Sequence, residues 1–296
     1  MPLGKEIKNN TQDLKISRLH PCFGAAAHNK YGRLHLPVSP SCNIQCRFCS
    51  RTLNKTEERP GVTGEILKPE EALGIVNKAL ELCPDITVVG IAGPGDTLAT
   101  ENALKAFELV NKEHPELIKC ISTNGLLLAQ KAQDLHDAGV RSVTVTVNAV
   151  NPIILDKIVS HIFYNGVKLT GITAAEILIG SQLEGIEKIS ALGAAVKVNT
   201  VLIPEINGEH IAEISKTVKA AGANIYNIIP LIPQGEFKDF KAPDCGDLAK
   251  ARKAAHDFME VFYHCKHCRA DACGIPGKTD LSSKLYDRQM ETFSHG

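Results

Sequence analysis

The chain has 296 residues, 44% of them hydrophobic, and its 33 basic and 33 acidic side chains cancel to a formal charge of zero. That balance argues against electrostatic capture of nucleic acid or of an anionic membrane surface. No run approaches the roughly 18 apolar residues of a membrane span, and the polar first ten residues argue against a secretory signal. The expectation is therefore a cytoplasmic chain with one large core domain and terminal extensions.

In chain order, residues 1–33 show little periodicity and read as an N-terminal extension carrying His20, Cys22 and His28. Strand-like segments then follow at 34–38, 86–91, 117–122, 142–147, 195–202 and 223–229. Amphipathic helical patterns separate them at about 69–82, 100–113, 126–138, 173–192 and 208–221, with a further helix near 247–263. Pro69, Gly125, Gly139, Gly193 and Gly222 punctuate the starts and stops. Six βα units in succession imply a parallel sheet with helices outside, an incomplete (β/α)6 barrel of TIM type, with a doubly wound open sheet as the alternative. Core residues 34–244 precede a C-terminal helix and segment at 245–280. The tail at 281–296 has no apolar rhythm and is expected to be frayed.

Ten cysteines without a secretory signal suggest ligation of metal or clusters rather than disulfides. Cys83 and Cys245 are expected to be small buried hydrophobes. Cys42, Cys46 and Cys49 stand apart, because their C-x3-C-x2-C spacing follows directly on the first strand. Three thiolates on one tight loop suit three irons of a 4Fe–4S cluster and leave the fourth iron open to chelate S-adenosylmethionine (SAM). The other reading, a structural zinc site, usually needs four ligands in two pairs.

The motif, with the aromatic Phe48 before its last cysteine, resembles the radical-SAM superfamily, whose fold is the partial barrel inferred above. The resemblance implies that SAM lies near Phe48, the glycine-rich turn with Gly93, Gly95 and Asp96, and the strand-end groups Ser122, Asn124, Thr146, Asn148 and Asn199. Glycines in such a turn let backbone approach a ligand closely.

Further motifs narrow the resemblance. His20-Pro21-Cys22, the His28–His35 segment, Arg59-Pro60-Gly61-Val62 and Cys265-x2-Cys268 followed by Arg-Ala-Asp-Ala together closely resemble the NifB family of nitrogenase cofactor maturases, from about His20 to Gly274. The resemblance implies fusion of two 4Fe–4S substrate clusters, K1 and K2, with a carbide from a SAM methyl group and an added sulfide. It implies Cys22, Cys265 and Cys268 as ligands of K2, and His35 and Cys120 as ligands of K1. The third K1 cysteine of many members is absent, since Ser50–Thr56 contains none; Glu65 is the candidate substitute. Cys273 is either an alternative K2 ligand or a buried thiol. Arg47, Arg59 and Arg269 are candidates for hydrogen bonds to cluster sulfides or are ordinary surface or ion-paired arginines, and Asp271 either orients a neighbouring arginine or interacts with bound groups. Expected partners are an electron donor and the cluster donor and carrier proteins of nitrogenase assembly. The chain is expected to be a monomer, a short form of the family without a carrier domain, in an oxygen-protected cytoplasm. The competing readings are a peptide-modifying radical-SAM enzyme with auxiliary clusters and a cluster scaffold without SAM chemistry.

Overall fold

A computed structural model describes residues 16–265 and 268–286. Residues 1–15 of the N-terminal extension, Lys266 and His267 of the C-terminal motif, and 287–296 of the tail lie outside the described residues. Six parallel strands make the barrel: β1 (Gly32–His35), β2 (Ile86–Ile91), β3 (Ile118–Thr123), β4 (Val140–Thr146), β5 (Ala195–Leu202) and β6 (Ile225–Pro230). The short β7 (Glu260–Val261) adds to β6 in parallel, and β8 (Cys273–Gly274) pairs antiparallel with β1. The sheet order is β7-β6-β5-β4-β3-β2-β1-β8. Helices α1 (Ala72–Leu82), α2 (Asn102–Glu113), α3 (Leu128–Asp137), α4 (Gly171–Ala191) and α5 (Ile211–Ala220) alternate with these strands, and α6 (Cys245–His256) follows β6.

The strands alternate with a period of two, and the alternation decides which face is which. Leu34, Leu36, Val89, Ile91, Ile121, Val143, Val145, Val196 and Val198 join the apolar layer shared with the helices. The residues between them, including Arg33, His35, Gly90, Cys120, Ser122, Thr144, Lys197 and Asn199, line the barrel interior. The helices supply the matching stripe: α2 buries Ala103, Leu104, Ala106, Phe107 and Val110, at the three-to-four-residue spacing of one helix face. A separate apolar cluster of Ile16, Phe23, Val88, Ile118, Ala195, Ile225 and Phe262 packs at the starts of the strands.

Four regions differ from expectation. The first strand ends at His35 rather than at residue 38, because Pro37 has no N–H to continue the ladder. The last helix stops at His256, and the chain then extends as β7 against β6 instead of coiling on to 263. Residues 159–164 and 167–169 form a hairpin around Asn165-Gly166, both at positive φ as a tight two-residue turn requires, and the hairpin pairs with Ile44–Cys46. The tail is not frayed through residue 286: Ser282–Leu285 is helical, and Leu285 and Tyr286 are buried.

Candidate active site

One cavity of about 350 Å³ occupies the barrel interior and its mouth. Cys42, Cys46, Cys49 and Phe48 line it, together with Gly95, Asp96, Ser122, Asn124, Thr146, Asn148 and Asn199. Cys22, His35, Cys120, Cys265 and Cys268 line the same cavity. Of the residues expected on sequence grounds to touch cluster or SAM, Gly93, Glu65, Arg47, Arg269, Asp271 and Cys273 are off its wall, and the rest are on it.

The three-cysteine loop is pinned from several sides. Ile44–Cys46 pairs with the 159–164 strand, and the Phe163 amide donates to Asn43 O at 2.7 Å. From the glycine-rich turn, Gly95 N donates to Ser39 O at 2.7 Å and Asp96 N to Ser41 O at 2.8 Å. From the 230–244 loop, Glu236 N donates to Arg47 O at 2.8 Å, and Phe237 packs near Phe48 with ring centroids 6.5 Å apart. Gly95 has to be glycine, since a Cβ there would lie 2.0 Å from Ser41 O.

Burial raises the pKa of all three thiols, Cys46 furthest; the other two thiols raise Cys46 further, and Asp96 adds to the rise at Cys42. Thiolates crowded in such a place need cationic partners, which is what cluster iron supplies. Among the described residues, no three Cys, His, Asp or Glu side chains converge on one metal ion. A cubane makes a different demand, spreading its thiolates over separate irons.

The SAM-pocket candidates first organise one another. The buried Asp96 carboxylate accepts from Leu98 N, Thr123 Oγ1 and Asn124 N. Asn124 Nδ2 donates to Asn43 Oδ1 at 2.6 Å and lies 3.8 Å from Cys42 Sγ. Asn148 Oδ1 accepts from Val201 N, and Asn199 Oδ1 accepts from Asn227 Nδ2. Gln182 was missed on sequence grounds; it reaches from α4 to donate to Asn124 O and Thr146 O, tying two strand ends together. A polar residue in the buried stripe of a helix was the available signal.

Deeper in the barrel, His35, Gly90, Cys120 and Ser142 form one row across four adjacent strands. Gly90 leaves the space between His35 and Cys120 free of a side chain. His35 Nδ1 lies 3.0 Å from Arg269 O. A carbonyl can only accept, so Nδ1 carries the proton and the Nε2 lone pair is left for a metal. Burial, followed by the positive charge of Arg33, lowers the His35 pKa to about 4, which keeps the ring neutral. His20, on the same wall, has the opposite tautomer: its Nδ1 accepts from Cys22 N at 3.1 Å, so Nε2 carries the proton. Burial pushes the Cys22 thiol up to about 12 against the opposing charge of Lys197.

Several candidates have other roles. Arg47 pairs with Glu236 at 2.5 Å, away from the cavity. Arg269 is paired with Asp271 at 2.8 Å and holds the Asn54 and Glu57 carbonyls, while Asp271 accepts from Gly64 N. This clasp secures the 54–65 segment, with Asp271 orienting Arg269 as expected. Arg59 does line the cavity. Glu65 is buried but off the lining. Cys273 is a buried core thiol beside Cys83, raised to about 12 by burial, and no part of the cavity wall. Cys83 is buried as expected, but Cys245 is exposed, at the capped start of α6.

No described helix is long and apolar enough to cross a membrane. The Radical SAM superfamily matches residues 36–218. The chain is 46% identical over 273 residues to the FeMo cofactor biosynthesis protein NifB of Methanocaldococcus infernus, covering 92% of this chain and 90% of the relative. It is 46% identical to the protein of the same name from Methanocaldococcus jannaschii, covering 95% and 96%. The Klebsiella pneumoniae relative of that name is 41% identical over 88% of this chain and 57% of its own length. Among solved structures, Streptococcus suis SuiB bound to S-adenosylmethionine aligns with a TM-score of 0.54 at 14% identity, covering 79% of this chain and 51% of that one. Methylornithine synthase (PylB) aligns at 0.55 and 12%, covering 88% and 72%. The barrel is thus the radical-SAM fold, and the chain belongs to the radical SAM superfamily and, within it, to the NifB family of enzymes of FeMo cofactor biosynthesis.

Proposed function

We propose that this enzyme fuses two 4Fe–4S substrate clusters, with a SAM-derived carbide and an added sulfide, into the eight-iron precursor of the nitrogenase cofactor. One observation carries the reading: the three-cysteine loop opens onto the same cavity as two further donor sets, Cys22 with Cys265 and Cys268, and His35 with Cys120. A generic SAM-cleaving enzyme needs only the first. When bound, the resident cluster and SAM supply a 5′-deoxyadenosyl radical and a methyl donor.

The chain's own residues would do the rest. Phe48 and the 92–96 turn position SAM beside Cys42, Cys46 and Cys49, and Asp96, Asn124 and Gln182 hold the strand ends that shape its pocket. The His35 Nε2 and the Cys120 thiolate hold one substrate cluster with only two protein ligands on the wall. Two ligands grip less firmly than three, which suits a cluster that must leave as product. Glu65, off the wall, enters as a third ligand only if its segment moves. An electron donor and the cluster donor and carrier proteins of nitrogenase assembly are the partners this chemistry requires, in an oxygen-protected cytoplasm.

The test is anaerobic reconstitution followed by reduction with SAM carrying a ¹³C methyl group. The reading expects 5′-deoxyadenosine, S-adenosylhomocysteine and ¹³C inside the product cluster, and none of the three with Cys42→Ala. Turnover of SAM with no ¹³C in any cluster would defeat it.

A further inference from the structure

Lys197 is 4% exposed, on the interior face of β5, and lines the cavity. Its Nζ donates to Cys22 O at 3.0 Å and lies 5.0 Å and 5.6 Å from the ring centroids of Phe23 and Phe262. Among the described residues it has no carboxylate partner, and neither has Arg33, which is 8% exposed. Arg33 donates to Gly274 O at 2.7 Å and to Cys268 Sγ at 3.3 Å, and its Nε is buried without a partner. The His20 Nε2–H, 2% exposed by residue, is a third buried donor without a partner among the described residues.

A buried cation is costly unless an anion and hydrogen bonds compensate it. Here two such cations and a neutral N–H donor gather around the three thiols of one donor set, and among the described residues no carboxylate forms an ion pair with either cation. The Lys197 charge also reaches beyond that set, acting on Cys22, His20, His35 and Cys120 alike. Lys197 lines the same cavity as both donor sets. Bridging sulfides of an iron–sulfur cluster are anionic acceptors, and an ammonium hydrogen-bonds them without displacing iron. Arg47, Arg59 and Arg269, the cations that the sequence singles out, already have carboxylate partners.

We propose that Lys197, supported by Arg33 and His20, is the positioning residue that holds the anionic cluster substrates by charge and hydrogen bonds to their sulfides, and that His20 donates rather than ligates. The proposal rests on the two-substrate-cluster reading above. It explains how a fused cluster that has shed thiolate ligands would stay in the barrel until a carrier removes it.

The experiment loads wild type, Lys197→Met, Lys197→Arg and Cys22→Ala with iron and sulfide under anaerobic conditions. It follows iron loss to a chelator, and the midpoint potential of the auxiliary clusters by EPR. The SAM-responsive EPR signal of the three-cysteine loop is the internal reference, and circular dichroism of the iron-free chains checks folding. Lys197→Met is expected to lose auxiliary iron faster by about tenfold or more, the worth of one charge-assisted hydrogen bond. Its auxiliary potential is expected to fall, and Lys197→Arg to restore part of both. A purely structural lysine would not move the potential of a cluster that remains bound. If Lys197→Met does not fold, Lys197→Gln, which keeps a donor and removes the charge, carries the same comparison. Wild-type retention and potential in a folded, charge-free variant would overturn the proposal. If instead Cys22→Ala keeps every auxiliary signal, the underlying assignment of that cluster site fails, a result distinct from failure at Lys197.

Discussion

Gly90 stands directly opposite His35 in the parallel pairing of β1 and β2, and a Cβ at residue 90 would lie 3.2 Å from His35 Cδ2. Its other neighbour in the row is Cys120 on β3. Adjacent strands are about 4.8 Å apart, so the strands that carry His35 and Cys120 are separated by about twice that distance. Something larger than one ion can bridge their side chains only if the strand between them carries no side chain. Gly90→Ala is therefore expected to displace the His35 ring and to lower auxiliary iron bound per chain. Iron analysis with EPR after reconstitution checks this, and full occupancy would argue that His35 and Cys120 do not share a cluster.

Gly95 presses the glycine-rich turn against the three-cysteine loop. In Gly95→Ala the new methyl group must push Ser41 away, which pulls apart the two hydrogen bonds that join the turn to Ser39 and Ser41. Overpacking of this kind costs about 1–3 kcal/mol. Urea unfolding of the iron-free protein measures that cost. SAM binding to the reconstituted variant is expected to weaken as well, because the turn and the cluster loop lose their register.

Asp271 and Arg269 form an ion pair whose side chains are only 4% and 6% exposed. In Asp271→Ala the guanidinium remains buried without its partner, and the Gly64 amide loses its acceptor. Removing one member of a buried pair costs about 3–5 kcal/mol. Because Arg269 O also fixes the His35 tautomer, this variant should additionally hold auxiliary iron less well. A denaturation midpoint unchanged from wild type would show that the clasp is not structural.

His210 Nε2 accepts the Val150 N–H at 3.1 Å, which requires a neutral ring. Burial lowers its pKa below the ordinary 6.5, and Glu213 opposes this only in part. Below about pH 6.5 the unfolded chain takes up this proton first, so the stability contribution is present above that pH and is lost as pH falls toward the lowered folded value. His210→Gln is expected to flatten that part of the pH dependence. Urea midpoints of the iron-free protein on either side of pH 6.5 provide the check.

Much of the chemistry is written locally. The spacing of Cys42, Cys46 and Cys49 specifies one loop because all three thiols belong to a single short turn. The βα alternation was likewise legible, since a parallel sheet covered by helices needs continuous apolar strands and striped helices. Asn165-Gly166 is a hairpin signal that the sequence also carries. The end of the last helix was not readable, because β7 forms only when β6 offers it an edge.

The sequence by itself determined which residues could bind iron and SAM, because ligand chemistry depends on residue type and close spacing. Only the tertiary structure decided which of them share a cavity and which cations face it. The His35–Gly90–Cys120 row depends on register between strands distant in sequence, and a one-residue slip would turn each of these positions toward the helices. Lys197 looks in sequence like any strand lysine. The turn of β5 that aims it inward, against the carbonyl of Cys22, gives it a charge that no carboxylate among the described residues answers.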